Sequence, residues 1–142
     1  MNTVGGGKNS FQLKVLSYNI LADCYSKYFM FKYVRHVYLN FRYRSVRILQ
    51  EIKSSEADII CLQEVDHLDD FYRPQLESLG YQVHEAYRRG KDAVVVGYKR
   101  ELYKIIEKEI VDYNDLVKHY KNLPGLDSSE FLVHNKAIIC LM

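Results

Sequence analysis

A strand–helix–strand pattern in residues 11–63 constrains the fold more than any other feature of this sequence. Phe11–Tyr18 alternates apolar and polar side chains, which is the period-2 pattern of a strand. Arg42–Ser54 has the apolar periodicity of an amphipathic helix. Ala57–Gln63 is a short, nearly continuous apolar run, typical of a strand that is buried on both faces. Two strands joined by a helix predict an α/β fold, in which helices flank a mixed sheet.

The predicted helix is expected to bury one apolar face against that sheet. Val46, Leu49 and Ile52 recur at three-residue spacing, with Ile48 beside them, while basic and polar residues occupy the other side. This pattern predicts that these four side chains contribute to the core.

The remainder of the chain predicts one more helix, a group of strands and a loop. Phe71–Leu79 is typical of a helix, with Pro74 in its first turn and Gly80 as its C-terminal stop. Residues 115–130 predict a loop, or a short helix followed by a loop, and residues 131–142 predict a final strand. The other three strands are expected to form a hairpin or a meander, and they are Tyr81–Tyr87, Asp92–Lys99 and Lys104–Val111.

The segment from Cys24 to Gln50 contains no Asp or Glu, and part of it, Ala22–Asn40, is aromatic and irregular. We interpret Ala22–Asn40 as a loop with short helical pieces. The cations of this acid-free segment create a local positive field that attracts phosphates, but they could equally pair with acidic groups elsewhere in the fold. Six cations lie in the acid-free segment: Lys27, Lys32, Arg35, Arg42, Arg44 and Arg47.

Polar side chains follow the first two predicted strands where a core would not require them. Asn19 follows the first strand and Glu64 the second, and ligands of open α/β sheets collect at the carboxyl ends of strands. A carboxylate there suits a hard cation such as magnesium, and an amide can hydrogen-bond a phosphate. The structural alternative is that Glu64 caps the following turn and Asn19 forms an Asx turn, and spacing alone favours this alternative.

Other classes of protein are disfavoured by what the sequence lacks. It contains no HExxH, P-loop or GxSxG motif. Its three cysteines have no metal-ligand spacing, and Cys61 and Cys140 lie in apolar runs that predict core positions. Residues 1–10 are polar and glycine-rich, and no apolar stretch approaches the ~20 residues that a bilayer requires. We therefore expect a cytoplasmic or nuclear protein with no membrane partner.

Two motifs resemble the opening motifs of the carbon-catabolite-repressor-type poly(A) deadenylases, a branch of the endonuclease/exonuclease/phosphatase superfamily. The motifs are VLSYNILADCY at 15–25 and ADIICLQEVD at 57–66. Nocturnin, Angel and 2′,5′-phosphodiesterase proteins are related to this branch. The resemblance implies the first half of a four-layer, DNase I-like α/β sandwich. Residues 1–10 are then a flexible N-terminus, and residues 11–142 the N-terminal part of a truncated domain with one sheet face uncovered.

The resemblance also implies roles for the two strand-end residues. Glu64 matches the family's magnesium ligand, which could also bind manganese, and Asn19 matches the asparagine beside the metal and the scissile phosphate. The implied function is a 3′–5′ exoribonuclease that shortens poly(A) RNA, with subunits of an mRNA-decay complex as partners. The family's later catalytic histidine and aspartates have no match, so the chain alone is expected to be inactive. Two alternatives are a phosphodiesterase or phosphatase acting on 2′,5′-oligoadenylate or nucleotides, and a non-catalytic interaction module.

Overall fold

The computed structural model describes residues 12–89, 91–119 and 134–142. Residues 1–10, predicted to be a flexible lead-in, lie outside these ranges, as does most of the loop predicted at 115–130. A π-helical turn at Leu68–Tyr72 lies directly before the α-helix that begins at Arg73. The strands are β1 Val15–Asn19, β2 Ile59–Val65, β3 Tyr81–Arg88, β4 Asp92–Lys99, β5 Glu107–Asp112 and β6 Lys136–Leu141. The helices are α1 His36–Leu39, α2 Phe41–Ser55, α3 Arg73–Ser78 and α4 Tyr113–His119.

Four of the strands form a mixed sheet in the order β1-β2-β4-β3. β1 and β2 are parallel and joined through α2, which confirms the strand–helix–strand unit predicted from the sequence. β4 pairs antiparallel with both β2 and β3, and β3 and β4 form the expected hairpin. The α/β fold class with flanking helices is therefore confirmed.

The predicted meander does not extend to β5. This strand pairs with β6 in a separate two-stranded sheet. Both edges of β4 are already occupied by β2 and β3, so β4 has no free backbone groups to offer a further strand. β6 contacts β3 and β4, which places the two-stranded sheet against the larger sheet.

The core lies between the larger sheet and its helices. Ile48 and Ile52 of α2 are buried there, as expected, and Leu49 is partly buried. The prediction for Val46 was wrong, because this side chain is 60% exposed while Ser45 is buried. Each residue advances an α-helix by about 100°, so Val46 lies about 200° from Ile48, on the solvent side.

The opposite face of the sheet is only partly covered. Ile60 and Leu62 of β2 have no exposed surface, but Ile59 and Cys61, which point to the other face, are half-buried. The expectation that β2 is buried on both faces was therefore wrong, as was the expectation that Cys61 and Cys140 are core residues. The physical reason is that a two-stranded sheet is too narrow to cover a four-stranded one.

Candidate active site at the carboxyl ends of β1 and β2

Asn19 and Glu64 are in direct contact. The parallel register places Asn19 beside Gln63, so Glu64 follows at the same edge of the sheet. The Nδ2 amide of Asn19 donates a hydrogen bond of 2.8 Å to Oε1 of Glu64. The structure thus brings together the two residues singled out in the sequence, while their roles in catalysis stay predictions.

A β-bulge directs Glu64 to this position. Leu62 pairs with Val95 and Val65 pairs with Ala93, so Gln63 and Glu64 together oppose a single residue of β4. In a regular strand Glu64 would share the core face of Leu62, but the bulge gives that place to Val65, which is fully buried. Glu64 has a φ of 56°, in the left-handed region, which costs a residue of this type about 1 kcal/mol or more. Backbone strain of this kind recurs at functional sites.

The Asn19 amide is oriented by the loop that follows β1. Its Oδ1 accepts a hydrogen bond of 2.9 Å from the Leu21 N–H, which is the Asx turn of the structural alternative. Arg44 of α2 holds the same loop in place. Its guanidinium donates hydrogen bonds to the carbonyl oxygen of Ile20, at 2.6 Å, and to the carbonyl oxygen of Leu21. The turn and the contact with Glu64 coexist, since one uses the oxygen of the amide and the other its nitrogen.

Two cations, Arg88 and Lys136, line the cleft into which Glu64 points, and each is paired with a carboxylate: Arg88 with Asp92, and Lys136 with Asp112 at 3.2 Å. This cleft has a volume of about 310 Å³. Arg88 is anchored beneath it by Asp92, which has no exposed surface and accepts bonds of 2.9 and 2.5 Å from the guanidinium. The third guanidinium nitrogen donates to Oδ1 of Asn135 at 2.9 Å. The polar lining of the cleft consists of Asn19, Gln63, Glu64, Arg88, Tyr113, Asn135 and Lys136.

The buried carboxylate of Asp92 controls the titration of its neighbours. It raises the pKa of Arg88 through this hydrogen-bonded ion pair. It also raises the pKa of Tyr25, whose hydroxyl donates a bond of 3.0 Å to Asp92. Arg88 therefore remains a fixed cation at the edge of the cleft at any physiological pH.

Sequence reasoning missed Arg88, Asn135 and Lys136 as members of this site. Arg88 and Asp92 pair across the β3–β4 hairpin, so the hairpin register was the one signal that could have identified their ion pair. Asn135 and Lys136 come from a segment more than a hundred residues beyond Asn19, and no local pattern connects them.

The donor set is suited to a magnesium ion held by a single protein carboxylate. Within residues 12–89, 91–119 and 134–142, no group of three or more His, Cys, Asp or Glu side chains is placed to share a metal. Magnesium commonly uses one or two carboxylates and takes its other ligands from water and substrate phosphates. Glu64 fits that pattern.

Comparison with known proteins identifies the family. The sequence model of the Endonuclease/Exonuclease/phosphatase family matches residues 16–139, which include Asn19 and Glu64. The chain belongs to this family. The superfamily resemblance of the two motifs is thereby confirmed.

Relatives within the Endonuclease/Exonuclease/phosphatase family confirm the deadenylase branch. The chain is 37% identical over 113 residues to Carbon catabolite repressor protein 4 homolog 4 of Arabidopsis thaliana, covering 78% of this chain and 27% of that protein. It is 32% identical over 144 residues to the CCR4-Not complex 3′-5′-exoribonuclease subunit Ccr4 of Mycosarcoma maydis, covering 90% of this chain and 22% of that protein.

A solved structure of the branch has the same fold. The crystal structure of ANGEL2, a 2′,3′-cyclic phosphatase, superposes with a TM-score of 0.76 and 29% identity, covering 94% of this chain and 37% of that one.

The chain spans about a quarter of the length of the curated relatives named above. Among its described residues, no helix is both long and apolar enough to cross a bilayer.

Proposed function

We propose that the domain to which this chain belongs is a magnesium-dependent phosphodiesterase that removes nucleotides from the 3′ end of RNA, with poly(A) as substrate. The observation that carries the proposal is the 2.8 Å contact between Asn19 and Glu64 at the edge of a polar cleft. The relatives support the reaction class, since one of them is a 3′-5′-exoribonuclease subunit.

Four polar residues of the cleft, Asn19, Glu64, Arg88 and Lys136, then have roles in the reaction. Glu64 would hold a magnesium or manganese ion, and such an ion would supply positive charge to the phosphate oxygens. Asn19 fixes one carboxylate oxygen of Glu64 and would present its amide to the bound phosphate. Arg88 and Lys136 would donate hydrogen bonds to the phosphate, and because Asp92 and Asp112 hold these side chains in place, little side-chain entropy would be lost when substrate binds.

The 142-residue chain by itself is expected to bind metal without turnover. The resemblance assigns the remaining catalytic histidine and aspartates to motifs that have no match in this sequence. We further propose a cytoplasmic or nuclear location. We also propose an mRNA-decay complex as the setting, which is supported by a relative that is a subunit of the CCR4-Not complex.

A chimeric enzyme tests the catalytic proposal. Residues 16–139 replace the corresponding part of the Arabidopsis thaliana relative, and release of nucleotides from labelled oligoadenylate is followed with magnesium and with a chelator. We expect magnesium-dependent hydrolysis, reduced about a hundredfold or more by Glu64→Gln, because that change removes the carboxylate charge. Glu101→Gln, which removes a charge from an exposed residue, serves as the matched control. Equal activity of the two variants would contradict the role of Glu64.

A second candidate is hydrolysis of 2′,3′-cyclic phosphate ends, since ANGEL2 is a 2′,3′-cyclic phosphatase of the same fold. The same chimera, assayed on RNA with a cyclic phosphate end, on 2′,5′-oligoadenylate and on a dinucleotide cofactor, separates these substrates. Turnover of only the cyclic end would replace the exonuclease proposal. A chimera that binds metal but hydrolyses none of these substrates would favour a non-catalytic role.

A further inference from the structure

The loop between β1 and α2 presents cations that have no acidic partner in the described part of the chain. We call residues 27–38 the basic aromatic loop, whose last three residues belong to α1. Lys27, Lys32 and Arg35 are exposed in it, and none of them takes part in the ion pairs found among the described residues. This finding favours the phosphate-attracting interpretation of the acid-free segment over the alternative in which its charges are neutralised within the fold.

The same loop exposes aromatic rings to an unusual extent. Phe29 is 71% exposed and Tyr33 is 85% exposed. Tyr28 stacks on His36, with ring centroids 3.8 Å apart, and is itself 45% exposed. Single exposed rings are ordinary, but several within one short cationic loop are typical of a binding surface.

Hydrogen bonds hold the loop in a defined shape. The Ser26 hydroxyl donates to the Leu39 carbonyl oxygen at 3.2 Å, which closes the two ends of the loop on each other. Between these ends the Met30 N–H donates to the Lys27 carbonyl at 2.9 Å, forming a turn. The cations and rings are therefore displayed by an ordered backbone, which lowers the entropic cost of binding.

A cleft connects this loop to the candidate active site. The cleft has a volume of about 350 Å³ and extends from Asn19 to Tyr38, Tyr43 and Arg47. The guanidinium of Arg47 lies 4.5 Å from the centre of the Tyr43 ring. The lining thus continues from the end of β1 to Tyr38 of the basic aromatic loop, and it combines two arginines and three tyrosines with one carboxylate, that of Glu51.

We propose that the basic aromatic loop and this cleft bind the single-stranded RNA that leads into the Asn19–Glu64 site. The inference rests on the proposed function, because RNA is the substrate assigned to that site. Cations that follow the backbone and rings that stack on bases are the two components of single-strand recognition. An anionic membrane also attracts cations and rings, but a bilayer surface cannot enter a cleft that leads to Asn19.

Binding of labelled oligoadenylate of about 15 nucleotides to the full 142-residue chain tests the proposal. Fluorescence anisotropy is measured in a chelator, so that metal binding and hydrolysis do not contribute. Lys27→Ser, Lys32→Ser and Arg35→Ser are combined, and the matched control combines Lys53→Ser, Arg100→Ser and Lys104→Ser, which are also exposed. We expect the loop variant to bind about tenfold or more weakly than the control, with the salt slope reduced by about 2.

A second variant tests the rings separately from the charges. Phe29→Ser combined with Tyr33→Ser is expected to weaken binding about tenfold while the salt slope stays unchanged, because stacking does not release counterions. Circular dichroism and thermal unfolding verify that the variants fold, and since every substituted residue is exposed, we expect unchanged melting temperatures.

Two results would overturn the proposal. One is equal RNA affinity of the loop and control variants, and the other is binding to vesicles containing phosphatidylserine without binding to RNA. An inactive chimera together with loop-dependent RNA binding would instead refute the proposed catalytic function and leave the binding surface in place.

Discussion

Replacing Asn19 with aspartate places two carboxylates where the structure has a hydrogen bond. The Leu21 N–H would continue to hold one oxygen of the new side chain, so the second oxygen takes the place of the Nδ2 that now contacts Glu64. The variant therefore converts an attractive contact into a repulsive one without a change in size.

The expected cost follows from the 2.8 Å separation. Two unit charges about 3 Å apart repel by about 1.4 kcal/mol in bulk water and about 5.5 kcal/mol at an effective dielectric constant of 20. Because Asn19 is exposed and Glu64 half-buried, the lower value applies more closely. A hydrogen bond to a charged group contributes about 1.5 kcal/mol more. We expect Asn19→Asp to lower the free energy of unfolding by about 3 kcal/mol.

Urea unfolding at pH 7, followed by circular dichroism, measures this loss. The decisive control combines Asn19→Asp with Glu64→Gln. The new amide at position 64 can then donate a hydrogen bond to the new carboxylate at position 19, and the repulsion between two carboxylates is removed. We expect the double variant to recover most of the stability. A coupling energy below about 0.5 kcal/mol between the two sites would show that the side chains are not in contact, and the argument for a shared site would fail.

Three further predictions concern other parts of the structure. Arg44→Met should lower the free energy of unfolding by about 2 kcal/mol in urea titrations, because two loop carbonyls lose a charged donor. The control is Arg42→Met at an exposed neighbouring position, which should lower the free energy of unfolding by less than about 0.5 kcal/mol. The His67 ring donates a hydrogen bond to the Asp70 carboxylate, and this bond raises the pKa of His67 above its usual 6.5. The pair therefore stabilises the fold below that pH, and the contribution is lost as pH rises through the raised pKa. An NMR titration should show the pKa of His67 falling in Asp70→Asn. Gly97→Ala should destabilise the fold by about 1–3 kcal/mol in thermal unfolding, because the added Cβ would lie 2.8 Å from the buried side chain of Ile60 in β2. An unchanged melting temperature would contradict this packing.

Local patterns were sufficient to predict most of the secondary structure. The helix at 73–78 has Pro74 in its first turn and is followed by Gly80 with a φ of 87°, both as expected, because these residues act through their own backbone geometry. The pairing of β5 could not be predicted in this way. It depends on which edges of the sheet are already occupied, and that is a property of the whole topology.

The sequence by itself determined that an amide and a carboxylate lie at the C-terminal ends of two strands joined by a helix, and a parallel pairing of those strands places them at one edge of a sheet. Only the tertiary structure decided that Glu64 leaves the core face. A bulge against β4 has to insert one extra residue before Val65 can take that position. Tertiary structure likewise decided that Arg88 and Asn135 meet beside Glu64. These contacts depend on register and on segments far apart in the chain, whereas the periodicity of one segment reports only its own strand or helix.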